Sequence, residues 1–341
     1  MPVLFATHEV YLDHLTGSGH PERPQRLNAV LAGARDAAVA DALEPLVPRL
    51  ATVEEMARAH DAGYLERVER FCAAGGGQLD PDTVVSPASW DAARRGAGAG
   101  LAAIEALRAE PRRASAAFCA VRPPGHHATI DRSMGFCIVN NVAVAAAHLV
   151  SLGERVAIVD YDAHHGNGTQ DVFWSSGDVL YVSLHQWPLY PGTGRYDEVG
   201  AGAGYGTTLN LPMPPHATGD TYLAALDEVI VPTIERFAPT WLIVSAGFDA
   251  HRADPITDLG LSSGDYAKLT LRLIELVPPG RRLVMLEGGY DLEALRQSTA
   301  ATLGALVGIE HRPEAATSGG PGMSTVAGVA AFRREAGLLA S

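Results

Sequence analysis

The sequence predicts an α/β fold, a central parallel sheet with helices on both faces. Three observations point there. Short apolar runs recur without polar alternation, as strands buried on both faces do, and helical patterns separate them. The 341 residues are 47% hydrophobic and 19% charged, which supplies a large core and is far from a disordered composition. Each of five apolar runs is followed at its carboxyl end by His, Asp or Tyr, where open parallel sheets bind ligands.

Val3–Ala6 reads as the first strand, followed by a polar loop to Pro24 and helical patterns over Gln25–Ala40 and Val53–Cys72. Gly75-Gly76-Gly77 and Asp80-Pro81-Asp82 break the chain before an Ala-rich helix over Pro87–Arg108. Strands follow at Ala116–Val121, Val156–Val159, Val179–Leu184, Trp241–Ser245 and Leu283–Leu286, with helices near Asn141–Leu152, Tyr222–Phe237 and Asp265–Leu276. Pro313–Gly322 reads as a loop, and the small amphipathic helix after it should pack on the surface. No repeat or linker divides the chain, so one domain over residues 1–341 is expected, its core ending near residue 310.

Lys+Arg 26 against Asp+Glu 39 leaves a net charge of −13, which repels phosphate backbones and attracts cations; nucleic acid is not an expected partner. Three scattered cysteines do not form a disulfide framework. The N-terminal residues lack a signal-peptide pattern and no run reaches ~18 apolar residues, so a reduced, cytoplasmic protein without a membrane partner is expected.

The chemistry lies at the strand ends. Asp162 and His164 are two apart and point to the same side of an extended chain, and Asp249 ends a later strand. Two carboxylates and one imidazole leave open positions on a metal ion, the arrangement of a catalytic rather than a structural zinc site. The plain alternative is that both aspartates cap helices and His164 sits in a loop. His126 and His127 are sequence neighbours that point in different directions, so they suit a general base and its electrostatic partner. Each needs an acceptor to fix its tautomer, and Asp160 and Asn167 are placed for that. An Asp partner raises a histidine pKa more than an Asn partner does, so the two should differ in protonation. Tyr290, after two glycines, can donate to an oxyanion opposite the metal. Phe136 and Tyr190 could wall a narrow apolar slot, although aromatic loop residues are often core lids. The glycine runs Gly200–Gly206 and Gly96–Gly100 lack the spacing of a dinucleotide fingerprint, and the second reads as a small-residue helix face.

These residues together resemble the zinc-dependent histone deacetylase family, and its class II-like bacterial amidohydrolases in particular. The matching stretches are Gly19–Arg26, Arg122–His127, Gly135–Asn141, Asp160–Gln170, Ser183–His185, Pro191–Gly194, Gly247–Asp249 with Asp254-Pro255, and Glu287–Tyr290. The resemblance implies an arginase/deacetylase fold and one zinc ion on Asp162, His164 and Asp249. It makes His127 the general base and acid, His126 its electrostatic partner, and Tyr290 the carbonyl-polarising group. Gly135, Phe136, Tyr190, Asp82 and Ile256 would contact substrate, Asp82 as a rim residue. A structural potassium ion is implied at Asp160, Asp162, His164, Ser183 and Leu184, and a second near Phe173, Ser176 and Val179. Gly166 stands where binuclear manganese relatives need a further carboxylate, and Ile256 where polyamine-specific relatives place Glu. The expected activity is hydrolysis of acetyl or another short acyl group from an acyl-lysine peptide or protein, or from a small acylated amine. An acetylpolyamine amidohydrolase and a non-catalytic acyl-lysine-binding module are the alternatives.

Overall fold

The computed structural model describes residues 1–36 and 38–340. Its strands are β1 (Val3–Ala6), β2 (Leu43–Leu46), β3 (Gly77–Asp80), β4 (Thr83–Val85), β5 (Ala116–Cys119), β6 (Val156–Asp160), β7 (Val179–Gln186), β8 (Thr208–Met213), β9 (Trp241–Ala246) and β10 (Arg282–Leu286). The helices begin with α1 (Gln25–Ala34), α2 (Val53–Met56), α3 (Ala62–Ala73), α4 (Ser89–Ala109), α5 (Asn141–Ser151) and α6 (Asn167–Phe173). They continue with α7 (Gly219–Ala225), α8 (Val231–Phe237), α9 (Ser263–Ile274), α10 (Leu292–Val307) and α11 (Met323–Glu335).

Eight strands form one parallel sheet in the order β2-β1-β5-β10-β9-β6-β7-β8, and β3 and β4 make a separate antiparallel hairpin. Strands β5, β6, β7 and β9 are buried along their whole length, as their unbroken apolar runs require. Helices α1, α10 and α9 pack side by side in one layer, while α4 and α5 pack on each other in another. The small-residue face of α4, with Gly96, Gly98 and Gly100, is buried. Helix α11 packs against β8 and α7, as its amphipathic pattern anticipates.

Several elements depart from the sequence expectation. The helix expected over Gln25–Ala40 ends at Ala34, where the Asp36 carboxylate accepts the Ala38 amide and competes with the helical ladder; Ala37 lies outside the described residues. The helix expected over Val53–Cys72 is two helices, because the Asp61 carboxylate accepts the Tyr64 amide and starts α3 afresh. The Asp80-Pro81-Asp82 turn joins the two strands of a hairpin. Strands β2 and β8 and helices α6 and α10 are additional to those expected.

Candidate active site

Five adjacent strands, β5, β10, β9, β6 and β7, end on one edge of the sheet and deliver the chemistry-bearing residues together. The parallel register aligns these ends: Asp160 lies beside Ser183 of β7 on one side and Ser245 of β9 on the other.

Asp162, His164 and Asp249 converge, each offering one ligand atom within 4.8 Å of the others, and all three are buried. His164 Nδ1 lies 3.1 Å from both Asp162 Oδ1 and Asp249 Oδ2. Backbone amides aim the carboxylates: Gly288 N–H donates to Asp162 Oδ2 at 2.8 Å, and Ala163 N–H to Asp249 Oδ1 at 2.8 Å. Two buried carboxylates facing one imidazole are costly unless a cation neutralises them, so the donor set fits a divalent metal ion. Burial works against charge on His164, yet hydrogen bonds to Asp162 and Asp249 push its pKa up to about 10, which shows how strongly this point favours positive charge.

His126 and His127 lie with ring centroids 4.1 Å apart, tilted by 45°, and have different partners. His126 Nδ1 donates to Asp160 Oδ2 at 3.0 Å, and His127 Nδ1 donates to Asn167 Oδ1 at 2.8 Å. Burial lowers the pKa of His126, but Asp162, Asp160 and Glu287 overcome it and hold the pKa well above the ordinary value. Burial, with His126 and His164 adding positive charge, holds His127 well below it. His127 is therefore neutral, and because Nδ1 carries its proton, Nε2 carries the lone pair.

Tyr290 follows β10 and is buried, and its hydroxyl meets no protein acceptor among the described residues. Burial holds the phenol well above its ordinary pKa, with Arg26 opposing, so it stays a hydrogen-bond donor. A cavity of about 230 Å³ brings together Asp82, His127, Gly135, Phe136, His164, Leu189, Tyr190, Ile256 and Tyr290. Within it, the Tyr190 ring stands edge-on to His127 at 5.2 Å and the Phe136 ring edge-on to Tyr290 at 5.8 Å. Asp82 Oδ1 accepts the Gly135 amide at 3.0 Å, tying the β3–β4 hairpin to the cavity wall. Leu189, unremarked in the sequence, adds apolar wall.

The expected positions of the first potassium ion lie on β6, β7 and the segment that follows β6. Asp160 and Ser183 are register partners, but Ser183 Oγ is engaged with His185 Nδ1 at 2.9 Å. Phe173, Ser176 and Val179 lie along the connection from α6 to β7, where the Phe173 carbonyl accepts the Ser176 amide at 2.9 Å.

A supporting layer is built from residues that lie in the matching stretches but to which the sequence reading gave no role. Arg26 donates to the carbonyls of Gly289 and Glu287 at 2.6 and 2.5 Å and stacks 4.9 Å from the Tyr290 ring centre. Glu22 holds Arg26 at 3.1 Å and Arg122 at 2.5 Å, all three fully buried. The Glu287 carboxylate accepts the Gly125 and His126 amides at 2.6 and 3.1 Å, so it fixes the turn carrying both histidines. Burial pushes the Glu287 pKa up to about 7. Asp254 accepts the Tyr290 amide at 2.7 Å and the Ile256 amide at 3.1 Å, joining the rim to the tyrosine. A charged residue inside an apolar helical pattern, as at Arg26, is the signal that marks this layer.

Residues 20–306 match the model of the histone deacetylase domain. The chain is 37% identical over 310 residues to a probable deacetylase of Archaeoglobus fulgidus, covering 89% of this chain and 86% of that one. It is 40% identical over 247 residues to a histone deacetylase-like amidohydrolase of Pseudomonas aeruginosa, covering 71% of this chain and 64% of the relative. The crystal structure of the HDA15 HD domain superposes with a TM-score of 0.90 at 34% identity, covering 99% of this chain and 96% of that one. A metal-fitting triad, an unequal histidine pair and a buried phenol around one cavity are thus found in a chain that belongs to the histone deacetylase family.

Proposed function

We propose that this deacetylase is a zinc-dependent amidohydrolase that removes acetyl or another short acyl group from lysine-like amines. The observation that carries the reading is that His127, His164 and Tyr290 line one narrow cavity, with Asp162 and Asp249 beside His164. Asp162, His164 and Asp249 would hold the zinc ion, which when bound draws electrons from the acyl carbonyl and acidifies a neighbouring water. The resemblance further supports potassium at Asp160, Asp162, His164, Ser183 and Leu184, and at Phe173, Ser176 and Val179.

The chain's own groups supply the rest. An acyl-lysine stem threads between Phe136 and Tyr190, with Gly135, Leu189 and Ile256 around it and Asp82 at the rim. His127 Nε2 takes a proton from the attacking water as its oxygen bonds to the acyl carbon. The Tyr290 phenol donates to the carbonyl oxygen as negative charge collects there, and charged His126, anchored by Asp160, adds to that field. The C–N bond then breaks while His127 returns the proton to the amine nitrogen, giving a carboxylic acid and a free amine. Asn167 keeps His127 in the required tautomer throughout.

The test is turnover of acetyl-lysine peptides, longer acyl-lysine peptides and acetylpolyamines by metal-stripped enzyme before and after zinc is restored. Turnover returning with about one zinc per chain supports the reading. Full activity in the stripped enzyme, or in Asp249→Ala, overturns it.

A further inference from the structure

A large groove lies outside the catalytic cavity, between α11 and the ends of β7 and β8. It measures about 600 Å³, and its walls include Trp187, Tyr196, Pro212, Val329, Phe332 and Glu335. Three of the nine lining residues are aromatic, and the Tyr196 and Phe332 rings meet edge-on at 5.3 Å. Tyr196 is exposed although it is a large aromatic side chain. The Glu335 carboxylate is exposed and has neither an ion pair nor a hydrogen bond among the described residues. Aromatic faces with one free carboxylate suit a cation on an aliphatic stem: the rings attract the charge and the stem covers apolar wall.

The groove also borders the carboxyl-end edge of the sheet. Pro212 is the register partner of His185 near the carboxyl ends of β8 and β7, the sheet edge that carries the catalytic residues. Trp187 is pinned there by its amide, which donates to the Met213 carbonyl at 2.7 Å. Only Pro188 and Leu189 separate Trp187 from Tyr190 in the cavity wall, at most about 11 Å of chain. A peptide with its acyl-lysine in the cavity has neighbouring side chains within reach of the groove.

We propose that this groove is a specificity subsite for a Lys or Arg side chain a few residues from the acyl-lysine in a peptide substrate. The subsite rests on the deacylase reading and adds to it a substrate class, basic-flanked acyl-lysine sequences. Exposed cation–π contacts and an exposed ion pair together give about a three- to tenfold preference.

The experiment walks a single Lys, Ala, Glu or Leu through the positions flanking acetyl-lysine in an otherwise neutral peptide. It measures kcat and KM for wild type, Glu335→Gln and Phe332→Leu. The expected result is one position where Lys lowers KM about three- to tenfold relative to Ala and Glu raises it. Both variants should erase that preference and leave turnover of the all-neutral peptide unchanged. A flat scan, a preference surviving in Glu335→Gln, or Leu outperforming Lys at the best position would each overturn the subsite. If no acyl-lysine peptide is turned over, the deacylase reading fails separately. Calorimetry of the Lys and Ala peptides, wild type against Glu335→Gln, then decides the subsite alone: tighter Lys binding lost in the variant supports it, and equal binding overturns it.

Discussion

Replacing Gly288 by alanine probes the metal-fitting triad with one methyl group. A Cβ at this position would overlap the Asp249 carboxylate and stand 2.6 Å from Asp162 Oδ2, so it meets two of the three donor groups at once. The Gly288 amide also orients Asp162 from 2.8 Å, so the backbone cannot retreat without releasing that oxygen. Extra methyl groups in packed interiors typically cost about 1–3 kcal/mol. If the carboxylates yield only in the metal-free chain, the whole cost falls on the metal-bound state, and zinc affinity drops about 5- to 150-fold. Competition with a chromophoric chelator measures this, and urea unfolding of the metal-free chain measures any cost that falls on folding instead. Gly328→Ala is the control, because its Cβ would point into open space and the helix should gain about 0.5–1 kcal/mol. A Gly288→Ala protein that binds zinc and unfolds as wild type does would refute the close approach of β10 to the triad.

Tyr290→Phe should lower kcat about 10²–10³-fold with little change in KM, since the phenol acts on charge that develops only in the transition state; wild-type kcat would make it a packing residue. His127→Ala should lose most of kcat, whereas Asn167→Ala should keep part of it with an altered pH profile, and identical profiles would remove the tautomer argument. Ile256→Glu should move kcat/KM toward N8-acetylspermidine by about tenfold, because a carboxylate at the rim meets the distal ammonium; no movement would place Ile256 away from the substrate's far end. Glu314 accepts the Ser263 amide at 2.9 Å and pairs with His251 at 2.7 Å and Arg252 at 2.6 Å. Burial opposes its ionisation, but these partners depress its pKa to about 2 from an ordinary 4.5. The stabilisation is therefore complete above pH 4.5 and fades toward pH 2, so Glu314→Gln should be destabilised in urea at pH 6 and less so at pH 3.5. An equal gap at both pH values would contradict the depressed pKa.

Much of the architecture could be read because the central strands are buried on both faces and so carry unbroken apolar runs. The edges escaped for the complementary reason. β2 holds Pro45 and is largely half-buried, and β8 holds Pro212, both tolerated only where a strand has a free side. Helix α10 had a legible start, with the Asp291 carboxylate accepting the Ala294 amide, and a legible stop at Gly308. Its buried run Ser298–Leu306 carries no charged residue and hides Ser298, Thr299 and Thr302 inside, so it lacks an amphipathic signature. At the site, residues that end strands stood out, and the cavity gathers Asp82, Phe136, Tyr190, Ile256 and Tyr290 from separate segments. The Glu22–Arg122 pair did not stand out, since its members lie 100 residues apart and only tertiary packing makes them neighbours.

The position of β10 bears on how the molecule is made. The last of the ten strands among the described residues sits inside the sheet, between β5 and β9, and its carboxyl end leads into Glu287, Gly288 and Tyr290. A chain emerging from the ribosome has all three members of the metal-fitting triad by residue 249, yet the amide that orients Asp162 and the carboxylate that fixes the histidine turn arrive only after residue 286. Until then β5 and β9 expose unpaired edges to one another across a missing strand, the kind of intermediate that pairs with the wrong neighbour. Closure of this gap is a long-range event that joins residues 117–119 to 283–285, and such pairings are slow. Pairing of β10 between β5 and β9 is therefore the late step that brings Glu287, Gly288 and Tyr290 to the triad and the histidine pair.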